Sequence, residues 1–246
     1  MRNVWTIARR EYSRYFNSPI AYVVAFMILF VLGVIFALVV RSAINNAMQS
    51  YVPDISAITG NIVFLFVFSV PALTMRLVSD ETRMGTMELL LTAPVRDWEL
   101  IVGKWLGAFL FLLTIIAVTL IYPIIMNSMI TPGLDQRVVL TAYLGVILVA
   151  AAFLGIGVGI SALFSNQVAA FFLTLGFLIL LWWLIGFPAD MMTTGAGVFR
   201  YLDMKSHFYD SLNVGIISLG DIVYYLSWTV LGLFTGATAI EMRRWR

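Results

Sequence analysis

The residues able to do chemistry are few, and they exclude more than they suggest. The single histidine, His207, sits beside Asp203 and Asp210. That grouping could serve acid–base transfer, but no serine, cysteine or second histidine is arranged as its partner. The absence of cysteine rules out disulfides, thiolate metal sites and cysteine nucleophiles, and one histidine cannot make a multi-histidine metal site. Gly103-Lys104 is followed by Trp105 and lacks the upstream glycine of G-x-x-x-x-G-K-[ST]. The chain therefore has no phosphate-cradling loop of that type, and any ATP must be hydrolysed elsewhere. No cofactor, metal or nucleic acid is expected on this chain.

The charge that does exist is concentrated. Arg76 to Lys104 carries nine charged residues, whereas Ile20–Val40 carries none. Such a segment is expected in water or at an interface, where another protein can touch it. Within it, Thr86 is a candidate N-cap, Glu88 lies in the first turn, and Thr92-Ala93-Pro94 ends the helix. The result is a two-turn helix with an apolar row of Met87, Leu89, Leu90 and Leu91. Such a row could rest on a bilayer or dock in a groove on a soluble protein, and periodicity alone leaves both open.

The elements that must position these residues follow from composition. The 246 residues are 61% hydrophobic and 11% charged, with a mean hydropathy of +0.97. Soluble domains carry about 25% charged residues, so this chain cannot build a water-facing surface. It reads as an all-α membrane protein. Six spans are expected at Ile20–Val40, Ile55–Met75, Trp105–Met126, Val138–Phe164, Val168–Phe187 and Ile222–Ile240. Span 1 is too long for a signal-peptide core and is expected to be retained. Pro71 is expected to kink span 2. Gly145, Gly155, Gly157 and Gly159 are expected to admit neighbouring helices closely.

Residues 1–18 read as an interfacial amphipathic helix ending at Ser18-Pro19. Val4, Trp5, Ala8, Tyr12, Tyr15 and Phe16 fall on one arc, and Arg2, Thr6, Arg9, Arg10, Ser13, Arg14 and Asn17 on the other. Membrane lipid is its expected partner. Residues 188–221 mix apolar side chains with Arg200, Asp203, Lys205, His207 and Asp210, and are expected to form short re-entrant or interfacial helices between spans 5 and 6.

Six spans put both termini on one side. That side holds eleven basic residues and the other four (Arg41, Arg137, Arg200 and Lys205), which predicts cytoplasmic termini and a cytoplasmic 76–104 segment. The spans carry essentially no charge; Asp54, Arg76, Lys104 and Asp221 are placed at their ends. This argues against a carboxylate-based ion carrier. A sodium site made from carbonyls and the hydroxyls of Ser69, Thr74, Thr114 and Thr119 stays open, and with it an ion-coupled carrier or channel acting alone.

Several runs together resemble the permease subunits of ABC-2-type transporters. They are Pro71-Ala-Leu-Thr-Met-Arg76, Ser79-Asp80-Glu81, Gly85-Thr86-Met-Glu88-Leu-Leu-Leu-Thr92-Ala-Pro94 and Ile101-Val-Gly103-Lys104. The branch that includes the gliding-motility-associated permease is the most similar. The amphipathic leader, Ser165-Asn166-Gln167 and the late Ser206-His207-Phe208 run extend the resemblance over most of the chain. It implies a half-transporter: two permease subunits, identical or homologous, each gripped by an ABC ATPase subunit that binds ATP and Mg. It also implies export across a bacterial cytoplasmic membrane. By that resemblance the leader, with Trp5, Arg9, Arg10, Tyr12 and Arg14, is a connecting helix. Glu81, Gly85, Thr86, Glu88, Leu89, Leu90, Thr92 and Pro94 form a first coupling contact, and Ser165, Asn166 and Gln167 a second.

Overall fold

The computed structural model describes residues 2–45, 54–85, 95–130, 133–191 and 196–244. It is 87% helical with no strand among the described residues, and six of its helices are long and apolar enough to span a membrane. The chain is an all-α, multi-pass membrane protein. The candidate helix at Thr86–Leu91, with Glu88, Leu89, Leu90, and then Thr92 and Pro94, lies outside the described residues.

Helix α1 (Arg2–Phe16) leads through the Ser18 corner into α2 (Pro19–Asn45). Only Ala21, Val24, Ile28 and Leu32 of α2 are buried, a stripe at helical spacing facing α3 (Ser56–Thr74). Pro71 lies inside α3, which breaks into a turn at Met75 and resumes as α4 (Ser79–Arg83). Helix α5 (Asp97–Thr119) runs on as α6 (Ile121–Met129) after an interruption at Leu120. Pro123 has no N–H to offer the Thr119 carbonyl one turn back; the Tyr143 hydroxyl donates to that carbonyl instead, at 2.9 Å.

Helix α7 (Gln136–Leu163) is the most buried span and the axis of the bundle. It packs on α3 and, most extensively, on α12 (Leu219–Arg244). The α7–α12 contact is backbone to backbone. A Cβ on Gly232 would lie 2.2 Å from the Gly155 carbonyl carbon, and one on Gly159 would lie 2.6 Å from the Gly232 oxygen. The glycines expected to admit neighbours do so here because hydrocarbon offers no hydrophobic driving force, and close approach supplies dispersion contact instead.

Asn166 caps α8 (Gln167–Ile179) by accepting from Val168 N–H at 2.9 Å. A π-helical turn at Leu180–Leu184 then swings Trp182 into the core against Phe153 and Phe208. Short helices α9 (Phe187–Met191), α10 (Ala196–Leu202) and α11 (Met204–Tyr209), with a 3-10 turn at Leu212–Val214, lead into α12. They cap the far end of α3: Tyr209 donates to the Gly60 carbonyl at 3.0 Å, and Thr59 donates to Asn213 Oδ1 at 2.6 Å.

Two expectations need correction. The helix that carries span 3 starts at Asp97, ahead of Trp105, so Lys104 sits inside a helix and not at its end. The arc Val4–Phe16 is not uniformly membrane-facing. Ala8 and Tyr15 are buried while Trp5 and Phe16 are exposed, because α1 lies on α5. Gly103 and Gly107 make the seat, since a Cβ there would stand 2.7 Å from Ile7 Cβ and 2.6 Å from Glu11 Cβ. Tyr15 stacks on Phe111 at 4.9 Å, and Tyr12 meets the Thr114 hydroxyl at 3.1 Å.

Candidate functional site

At one end of the bundle, three helices are tied by a buried cation. Lys104 Nζ on α5 lies 2.7 Å from Glu81 Oε1 on α4 and 3.2 Å from Glu11 Oε1 on α1. The lysine is 1% exposed and the two carboxylate side chains 4% and 6%. Charges removed from water this completely hold only if each keeps its partner. The cluster therefore fixes α1, α4 and α5 relative to one another. Glu81, expected as a surface contact for an ATPase, is turned inward onto Lys104. The described parts of the 76–104 segment are partly packed into the bundle: Leu77, Val78 and Ser79 are buried, as are Leu100, Ile101 and Gly103.

The same end gathers α7, α8 and α12. The Ser161 hydroxyl on α7 accepts from Val78 and Ser79 N–H at 3.3 Å each, satisfying donors that the start of α4 would otherwise leave open. Gln167 donates to Asp80, so the two predicted contacts, around 81 and 165–167, are adjacent in space. Arg243 donates to Thr82 Oγ1 and to the Ala162 carbonyl, both at 2.9 Å. The second bond places a cation at the C-terminal end of α7, where free carbonyls and the helix dipole favour it. Glu99 closes the start of α5 by accepting from Arg96 N–H at 3.1 Å, and it also accepts from Asn3 at 3.2 Å.

Beside these ties the surface is open. Ser165 and Asn166 are exposed, Gln167 is half-buried, and they line a cleft with Thr82 and Arg83. Gly85 follows at φ +70°, a left-handed residue that ends α4 as its N–H reaches the Thr82 carbonyl at 3.3 Å. Arg9, Arg10 and Arg14 stand exposed on α1.

The opposite end holds His207, whose carboxylate partner is Asp221, at 2.6 Å, and neither Asp203 nor Asp210. Its Nε2 lies 2.9 Å from the Tyr201 carbonyl, and its ring stacks on Tyr224 at 4.1 Å. Both ring nitrogens are thus engaged in holding α10, α11 and α12 together. Asp203 caps α11 through Lys205 N–H at 3.1 Å, and burial pushes its carboxyl above the ordinary range. The hydroxyls of Ser69, Thr74, Thr114 and Thr119 each donate to a carbonyl of their own helix.

A cation-tied helix end and a cleft beside it thus stand at one end of a bundle with six helices apolar enough to span a membrane. The family model described as ABC-2 family transporter protein matches residues 5–240. The chain belongs to this ABC-2 family. Its members are transmembrane permease subunits of ABC transporters, which work with an ABC ATPase and carry no ATPase site of their own. No curated relative matches this ABC-2 chain. The match reaches from α1 to α12, so the Glu11–Lys104–Glu81 cluster and the Arg243-side cleft both lie within or beside the family domain.

Sequence reasoning missed Glu11 and the inward role of Lys104. One signal was present: Glu11 is the lone acid on an otherwise basic helix.

Proposed function

We propose that this ABC-2 permease is the membrane half of an exporter in a bacterial cytoplasmic membrane, with both termini in the cytoplasm. Two ATPase subunits, binding ATP and Mg, act on two permease subunits, identical or homologous. Closure of the ATPases pushes on the cleft at Thr82, Arg83 and Ser165–Gln167. The push passes through Asp80 to α4 and through the Lys104 cluster to α5 and α1. Spans 2 and 3 then move as connected rods rather than separately.

The observation that carries this reading is the convergence of two sequence-distant contacts, Asp80 and Gln167, beside a buried ion cluster joining three helices. The absence of cysteine makes the test direct. Ser165→Cys in the full chain is expected to crosslink to the ATPase and to resist membrane-impermeant thiol reagents applied from outside. Ser206→Cys, at the other end, is expected to react with those reagents and not to crosslink. Labelling of Ser165→Cys from outside, or transport by the purified chain in vesicles lacking an ATPase, would overturn the proposal.

A further inference from the structure

A second site lies at the corner where α1 turns into α2, against the end of α3. It is a cavity of about 80 Å³. Its polar lining carries both signs, Arg14 and Arg76 with Glu11 and Asp80. Its apolar wall includes Ile20 and Leu73, at the boundary of the first two spans. From there α2 presents an exposed apolar face that includes Val23 and Phe26. We propose that this cavity binds the headgroup of an amine-bearing glycerophospholipid, of the phosphatidylethanolamine class.

The chemistry selects that class. A phosphate finds two guanidiniums, whose fork of N–H donors suits its oxygens. A purely anionic headgroup would also meet two carboxylates. A primary ammonium turns those carboxylates into acceptors, whereas a quaternary ammonium is bulkier and has no N–H to donate. Glu11 retains capacity for this: Oε1 serves Lys104, while Oε2 stands 3.9 Å from Arg14, beyond hydrogen-bond length. Asp80 engages Gln167 and, at 3.8 Å, the exposed Arg83, both through Oδ1. The acyl chains leave along α2, so headgroup and tails each meet matching surface.

The test uses the full chain purified in detergent, titrated with short-chain phosphatidylethanolamine, phosphatidylglycerol, phosphatidylcholine and inorganic phosphate. Phosphatidylethanolamine is expected to bind about tenfold more tightly than the other lipids, the worth of one charge-assisted hydrogen bond. Arg76→Gln should weaken it by a similar factor, Arg76→Lys should restore most of the loss, and Asp80→Asn should bring it down to the level of phosphatidylcholine. Equal binding of the three lipids, inorganic phosphate binding as tightly as the lipid, or unchanged affinity in Arg76→Gln each overturns the proposal. If Arg76→Gln fails to fold, the ranking of lipids on the natural chain decides alone.

Discussion

Replacing Lys104 with methionine is the sharpest perturbation of the coupling end. Methionine matches the length of the stem but removes the cation that Glu11 and Glu81 share. Two buried carboxylates are then left within two hydrogen-bond lengths of each other, without the cation that compensated them. Breaking a buried pair by deleting one partner costs about 3–5 kcal/mol, and here one deletion breaks two pairs. Glu81→Gln is milder, because the amide oxygen still accepts from Nζ and a single carboxylate still balances the lysine; a cost of about 1–2 kcal/mol is expected. The combination Glu11→Gln, Glu81→Gln and Lys104→Met removes every charge and should recover much of the loss. Thermal unfolding of the detergent-solubilised chain, followed by tryptophan fluorescence, gives the ranking. ATPase stimulation in the assembled complex gives the functional readout. If Lys104→Met melts with the natural chain, or the triple variant is worse than Lys104→Met, then the cluster does not hold the three helices and the coupling route fails.

Other consequences follow from single contacts. Gly232→Leu should force α12 off α7 at a cost of about 3 kcal/mol or more, since the closest backbone is 2.2 Å from the new Cβ; loss of a monodisperse peak in size exclusion checks it. Tyr143→Phe should cost about 1 kcal/mol by leaving the Thr119 carbonyl beside Pro123 without its donor, read as a lowered melting temperature. Arg243→Ala should weaken ATPase co-purification more than it lowers the melting temperature, because its two bonds lie at the cleft and not in the core. Asp203 is expected to make the chain more stable as pH falls. Burial raises its folded carboxyl pKa above the ordinary value, so the charged form costs stability above that value and the cost is relieved as the proton binds. Asp203→Asn, which can still cap α11, should abolish that acid-side gain in a melting series across pH.

Hydropathy made the six spans legible because a bilayer demands long apolar runs, and few soluble alternatives share that pattern. The glycines of α7 were legible for the same reason, since small residues in apolar helices have little use except close packing. The start of α5 was not. Glu99 and Lys104 look like loop residues by hydropathy, yet each is held by a partner distant in sequence or by helix-end geometry. Lys104 and Glu11 are 93 positions apart, and no periodicity in either helix announces their pairing. His207 was read against its neighbours in sequence, while its actual partner, Asp221, comes from the next long helix. Ion pairs across tertiary contacts are set by how helices stack, which a linear pattern does not encode.

The notch on α5 that receives α1 has a consequence for biogenesis. During synthesis α1 leaves the ribosome well before Gly103, Gly107 and Lys104, so its seat does not yet exist when it emerges. Until then Glu11 has only Arg14 of its own helix, 3.9 Å away, as a nearby cation, and α1 is without its seat. Nascent chains halted before α5 should leave α1 open to protease, and chains released after it should shield it. The order in which the membrane takes up this polypeptide is thus written into a pair of missing side chains.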